Sequence, residues 1–517
     1  MKTSPATEVV SKSVWAATAE MPPSHELLQD VEADVCIVGA GIAGLTTGYL
    51  LSQAGKSVVI LDDGPLAGGM TEVTTAHLSD AIDDRFTEIE RWHGDRGAFL
   101  AAESHTAAIN RIEKIAGELQ VDCDFTRLNG YLFLAPGDEK QLLARELAAA
   151  RRAGVMAEMV PRAPLSYDTG PAIRFPNQAR FHPLKYLAAM AHAITERGGQ
   201  IYTHSHADHV EGGPQAKVEV GPHTVRAEAV VVATNSPIND RVAIHTKQAP
   251  YMTYVIGARV PAGSVTDALY WDTLKTYHYV RLQRIRPNEI DSGSHEEHDV
   301  LIVGGEDHKS GQASDTTQRH ARLESWARAR FPMIEAVEFT WAGQVMETID
   351  GLAFIGRNPL DKDNVFIVTG DSGMGMTHGT IAGILLTDLI LDRRNPWATL
   401  YDPSRKTMRA AGNFARETLN MASRYVVDWL SGSEVESVQE IERGSGAVVR
   451  RGLTKVAVYR DEQGEAHELS AVCPHLGCIV HWNAAEHTWD CPCHGSRFNQ
   501  LGKVVNGPSN VDLPPAN

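Results

Sequence analysis

Positive charge is in short supply in this chain. Lys and Arg total 48 against 65 Asp and Glu, a net charge of −17 over 517 residues. Such a surface repels phosphate backbones and anionic lipid, so no nucleic-acid partner is expected. No apolar run reaches the roughly 18 residues that a transmembrane segment needs. The opening MKTSPATEVVSKSVWAATAE has no basic stretch leading into an apolar one and no twin-arginine pair, so the expected location is cytoplasmic. Cysteine is scarce as well: six residues, four of them between 473 and 493. Cys36 lies in an apolar run and Cys123 stands alone, which argues against a secreted disulfide framework. What remains is ordinary for a water-soluble globular protein, with 43% apolar and 22% charged residues. The length is too great for one core and implies two to four domains.

The first informative stretch is ADVCIVGAGIAGLTTGYLLSQAGKSVVILDD, Ala33 to Asp63. A short apolar strand runs into glycines at 39, 41 and 44, then a helix-like segment, then a second apolar strand ending on Asp62 and Asp63. Strand before, helix after and an acid 23 positions past the first glycine give the full dinucleotide-binding context. Gly39 permits the tight turn, and Gly41 lets the backbone approach a pyrophosphate. Gly44 lets helix and strand pack closely, and Ile42 and Ala43 open the helix whose N-terminus favours the anion. Asp62 is placed to accept from ribose hydroxyls. Two later segments share this character. AEAVVVATNSP, Ala227 to Pro237, is a buried-type strand ending in a small-residue turn at Thr234. NVFIVTGDSGMGMTHGTIAGILLTDLI, Asn364 to Ile390, is a strand, a glycine-rich turn (Gly370, Gly373, Gly375) and a helix opening at Met376 and Thr377.

This order resembles the D-amino-acid-oxidase type of FAD-dependent oxidoreductases, discontinuously over about residues 30 to 400. The resemblance implies bound FAD. FHPLKYLAAMAHAITERGGQIYTHSHADHVEG would hold the adenine at the backbone near Ala207, and TWAGQVMETIDGLAFIG would be the strand pair before the last flavin motif. TEVTTAHLS, Thr71 to Ser79, should pass near the flavin ring. Some relatives attach FAD covalently through a His in this region. Covalent attachment through His77 stays open as the lesser alternative, and a backbone or hydroxyl contact from Thr75 is the preferred reading.

The substrate layer is then about 80–178 and 245–338, with FAD-binding segments at about 31–79, 179–244 and 339–400. In YHYVRL, Tyr277, Tyr279 and Arg281 share one face of a strand. DVLIVGGEDHKSG reads as the next strand and turn, carrying Glu306, Asp307 and His308. One reading makes Tyr279, Arg281 and His308 catalytic, a pocket with aromatic walls and a charged anchor; the other makes them an ordinary two-sided sheet. Relatives that oxidise amino acids often carry a carboxylate-binding Arg shortly after the glycine of the Trp-Ala-Gly segment. This chain reads Gly343-Gln-Val-Met-Glu347 there, so a simple α-amino acid is not the expected substrate. Glu347 reads either as the binder of a cationic amine or as a structural carboxylate.

The end of the chain differs in kind. Residues 1–30 read as an extension and 401–438 as a helical linker. From 439 to 517, short β-type runs alternate with Asp/Gly turns. Here Cys473-x-His475 and Cys491-x-x-His494 stand fifteen residues apart. Zinc knuckles use Cys-x-x-Cys with His-x₃₋₅-His, so the mixed pairs do not fit a zinc finger. They resemble a Rieske [2Fe–2S] domain, in which Cys473 and Cys491 would take one iron and His475 and His494 the other. By the same resemblance, Cys478 and Cys493 occupy positions that form a disulfide in the respiratory branch. Ser496 matches a Ser that bonds a cluster sulfide, and Phe498 stands where that branch has a Tyr donating to a ligand sulfur. The missing donor implies a potential between the respiratory and oxygenase branches, within about −150 to +300 mV.

The fold class expected is therefore α/β: a Rossmann-like FAD domain, a mixed-sheet substrate domain and a small all-β Rieske domain. No second dinucleotide fingerprint is present, so NAD(P)H has no evident dock. The expected function is a dehydrogenase acting on a C–N bond. Hydride would pass to flavin and electrons singly to the cluster, then to an external acceptor such as a quinone or a small redox protein. The alternatives are an NAD(P)H-driven electron-transfer component for a partner oxygenase, and an oxidase with a structural or redox-sensing Rieske module. A homo-oligomer is compatible with all three.

Overall fold

The computed structural model describes residues 12–239, 244–287, 289 and 297–516. The apolar run ending Val31–Val38 is buried on both faces, as a strand inside a parallel sheet must be. It pairs in parallel with Val58–Leu61 on one side and His223–Val232 on the other. Gln200–Tyr202 and Val365–Thr369 extend the sheet in parallel at either side, and Phe354–Arg357 closes one edge antiparallel. Helices Ile42–Gln53 and Gly375–Ile390 cover one face, and the first residues of both open onto one cleft. A Cβ on Gly44 would stand 1.8 Å from the carbonyl oxygen of Gly39, so the first helix can lie this close to the turn only with glycine there.

The second sheet has nine strands, dominated by the long antiparallel set Gln248–Pro261, His298–Lys309 and Ala336–Thr348. Leu269–Asp272 and Thr126–Phe133 pair in parallel, which makes the sheet mixed. Ala336–Thr348 leads directly into the edge strand of the first sheet and so carries Gln344 and Glu347 to the cleft.

The C-terminal part is all β. A three-stranded sheet (Ser445–Arg451, Thr454–Arg460, Ala466–Ser470) packs beside a four-stranded one (His481–Asn483, Thr488–Asp490, Arg497–Asn499, Val504–Asn506). The helix Ala411–Leu430 connects the two parts and touches both. Its Glu417 pairs with Lys309, and Trp429 Nε1 donates to the Gly477 carbonyl at 3.0 Å. Part of the N-terminal extension belongs to the main core. Helix Val14–Thr18 buries Trp15 completely, and the indole donates to the Thr74 carbonyl at 2.6 Å. No described helix is long and apolar enough to cross a membrane.

Candidate active site and cluster site

One cleft runs along the C-terminal ends of the parallel strands, where a doubly wound sheet binds its ligand. Gly39, Gly41, Ile42, Ala43, Asp62, Asp63, Thr75, Ala207, Thr234, Gly370, Gly373, Gly375 and Met376 all line it. Asp62 Oδ2 accepts from Ala40 N at 2.6 Å and Oδ1 from Gly64 N at 2.9 Å, which fixes the carboxylate at the glycine turn. Burial still pushes its pKa up to about 6, so further donors such as ribose hydroxyls would be welcome there. The glycine turn, the acid and two helix N-termini on one cleft fit FAD. Thr377 is turned inward instead, bonding Met374 O at 3.1 Å and His105 Nδ1 at 2.8 Å. Gly44 likewise acts in packing and does not line the cleft.

At the other end of the cleft stand Tyr277 and Tyr279, with Trp271 beside them. Four carboxylates share this end: Asp83, Asp307, Glu347 and Asp371. No Lys or Arg is among the described lining residues. Burial raises every one of these acids, Asp83 to about 7 and Asp307 and Asp371 to about 6. Glu347 is raised by burial first, then by the charges of Asp84, Asp83, Asp371 and Asp307. Tyr279 OH lies 2.7 Å from Thr253 Oγ1, and Thr253 in turn bonds Asp307. Asp307 Oδ1 is shielded from solvent and has no partner among the described residues.

Two expected catalytic residues are elsewhere. Arg281 is 0% exposed and does not line the cleft. Its guanidinium donates to the carbonyls of Ala76 at 2.8 Å, Phe181 at 3.1 Å and Thr75 at 3.3 Å, and to Gln283 Oε1 at 2.9 Å. It holds the strand behind the flavin segment and is no anchor for substrate. His308 points away from the cleft, 3.1 Å from Tyr254 OH and 2.8 Å from the Lys309 carbonyl. Strand alternation placed Tyr279 and Arg281 on one face, but two residues further along that face the cleft has already ended.

The C-terminal loops form a second site against the cleft wall. Residues 473–478 and 491–496 are built alike: Gly477 N donates to Cys473 O at 2.9 Å and Gly495 N to Cys491 O at 3.2 Å. Cys473 and Cys491 are buried with their thiols in mutual hydrogen-bond reach, and the Ser496 hydroxyl reaches Cys473. The His475 and His494 rings stand edge to face, 4.9 Å between centroids. His494 Nδ1 is buried with no partner among the described residues, as an imidazole awaiting a metal would be. Two thiols on one side and two imidazoles on the other fit a Rieske [2Fe–2S] cluster. The sulfurs of Cys478, Cys491 and Cys493 also crowd within 4.8 Å, but Cys478 and Cys493 are joined to each other and are not ligands. Phe498 is fully buried in the same core.

The two sites meet. Val504 to Gly507, Ser509 and Asn510 of the C-terminal part line the cleft. Asn510 Nδ2 donates to the carbonyls of Ala207 at 2.8 Å and Asp208 at 3.0 Å. At the ring end, Gln344 Nε2 donates to the Gly495 carbonyl at 2.8 Å. Asp83, Gln344 and this contact escaped the sequence reading, because nothing local marks them. Asp307 and Asp371 lay inside segments already singled out.

The chain belongs to the FAD dependent oxidoreductase family, whose profile matches residues 34–389, and it carries a Rieske [2Fe-2S] domain at 432–516. FAD and a [2Fe–2S] cluster are therefore its cofactors. It is similar to the Rieske 2Fe-2S iron-sulfur protein YhfW of Bacillus subtilis, 29% identical over 96% of each chain. It is also similar to gamma-glutamylputrescine oxidoreductase of Escherichia coli, 24% identical over 74% of this chain and 89% of that one. The glycine oxidase of Geobacillus kaustophilus shares the fold of the first part, with a TM-score of 0.59, 18% identity and coverage of 73% and 99%.

Proposed function

We propose that the protein is a dehydrogenase for a cationic amine, passing electrons from FAD to its own Rieske cluster and on to an external acceptor. The observation that carries the substrate class is the ring end of the cleft, with four carboxylates and no described Lys or Arg. A substrate carboxylate would be repelled there, whereas an ammonium group would be held. The likeness to an oxidoreductase named for an amine conjugate is in keeping with this.

Asp307 and Glu347 hold the ammonium, and a carboxylate with a pKa near 6 to 7 accepts its proton. Tyr277, Tyr279 and Trp271 wall the carbon to be oxidised and keep water from it. Bound FAD supplies a hydride acceptor, and the bound cluster a one-electron carrier. Loss of hydride leaves an imine, which water hydrolyses on release. Cys473, Cys491, His475 and His494 hold the cluster, and the bond between Cys478 and Cys493 ties its two loops together. The external acceptor is a quinone or a small redox protein, and the setting is cytoplasmic.

Anaerobic stopped-flow tests this reading. Amines should bleach the flavin and then the cluster, and NADH should bleach neither. Bleaching by NADH alone would replace it with an electron-transfer component for a partner enzyme.

A further inference from the structure

Three imidazoles close on one another at the seam between the two parts of the chain. His245 is 1% exposed. Its ring lies 4.9 Å from that of His475 and 5.8 Å from that of His494, edge to face in both cases. His245 belongs to the flavoprotein part: the short turn His245–Lys247 opens the strand Gln248–Pro261. Three residues on, Gln248 Oε1 accepts from Thr369 Oγ1 at 3.0 Å, and Thr369 lines the cleft beside Gly370. Gln344 makes a second link, from the cleft wall to the carbonyl of the residue after His494.

These contacts set the direction of the cluster. Its histidine edge faces the flavoprotein part of its own chain, and His494 is only 4% exposed. The geometry points to His245 as the positioning residue that seats this edge, which makes the histidine edge the entry point for electrons from the flavin of the same chain. The inference rests on the reading that the flavin feeds the cluster. Over two transfers, a flavin reduced by hydride would give up two electrons and one proton to solvent, and each electron would in turn reduce one ferric iron to ferrous. His245 packs edge to face on both ligating imidazoles and fixes their ring planes. The shell around a cluster in this way governs both its potential and its coupling to a donor. The chain covers the His494 side of this edge, whereas His475 is half-buried.

The test uses the holoenzyme with His245→Ala and with His245→Phe, which keeps a ring in place. Flavin is reduced by a light pulse with a deazaflavin donor, and the cluster is followed by its visible absorbance. Midpoint potential and electron paramagnetic resonance are recorded in parallel. In His245→Ala, cluster reduction should slow about tenfold or more. Its resonance should shift, while steady flavin photoreduction stays as in wild type. His245→Phe should fall between. If His245→Ala does not assemble a cluster, His245→Phe is read by the same criteria. A wild-type rate with an unchanged resonance in the variant that assembles overturns the assignment. A wild-type cluster that stays oxidised beside reduced flavin overturns the functional reading on which it rests.

Discussion

The side-chain amide of Gln344 and the backbone carbonyl of Gly495 are hydrogen-bonded at 2.8 Å, and that bond joins the flavin cleft to the cluster loop. The contact is close on both sides. Gly495 has φ +83°, and a Cβ there would stand 2.5 Å from Pro250 Cβ and 2.7 Å from Gln344 Nε2. Gly495→Ala should therefore cost about 1–3 kcal/mol and push the loop off the cleft wall. Gln344→Ala should cost about 1 kcal/mol through the lost bond alone. Thermal unfolding of the two variants, with cluster content measured by iron and visible circular dichroism, checks the order.

The acid-lined end of the cleft sets a pH dependence. Asp83 has a pKa raised to about 7, and Asp307 and Asp371 to about 6. Below these values the acids are neutral and hold a cation poorly; above them they are charged. KM for an amine should fall as pH rises from about 5.5 to 8, the reverse of what a cationic anchor would give. The fold opposes their ionisation, so their contribution to stability is greatest below the unfolded carboxylate pKa and is lost as pH rises through 6 to 7. Bound amine offsets that loss, and its thermal stabilisation of the protein should be larger at the higher pH.

Removing single carboxylates should separate their parts. Asp307→Asn and Glu347→Gln are each expected to raise KM for the amine about tenfold, an effect of about 1.4 kcal/mol. FAD content should be unchanged, since neither residue stands at the glycine turn or beside Asp62. Steady-state kinetics with a dye acceptor gives the answer, and an unchanged KM in both would remove the carboxylates from substrate binding.

Arg281→Met should act on stability and leave specificity alone. The guanidinium bonds four backbone carbonyls and stacks over Trp15, with its centre 5.0 Å from the ring. Its loss leaves those carbonyls buried and unpaired, at a cost of about 3 kcal/mol or more. A lower melting temperature with an unchanged KM in the folded fraction is expected.

Phe498→Tyr adds back a donor that the cluster environment lacks. The side chain is fully buried in the core that holds Cys473 and Cys491. A hydroxyl directed at a ligand sulfur stabilises the reduced state, so the midpoint potential should rise. A redox titration decides it; a wild-type potential already at respiratory values would remove the reason for the substitution.

How far the sequence carries depends on the range of the signal. The dinucleotide turn is local: glycines 39, 41 and 44 and Asp62 lie within one strand–helix–strand unit, and the fold places them together. The cluster loops are equally local, Cys473 to Cys478 and Cys491 to Ser496. The substrate end is not. Asp83, Asp307, Glu347 and Asp371 come from four distant segments, and only the register of the long strands brings them to one cleft. His245 and Gln344 gain their meaning from a domain seam, which has no periodicity to read. Arg281 shows the opposite error: alternation gives its face correctly but says nothing of where along that face the cleft stops.

One further consequence concerns where this protein can be cut. Trp15 lies outside the region that matches the oxidoreductase family, yet it is wholly buried, bonds Thr74 and supports Arg281. A fragment begun at residue 34, where that match starts, would lose a prop beneath the flavin-facing segment. The working unit of catalysis is thus larger than the domain by which its family is recognised.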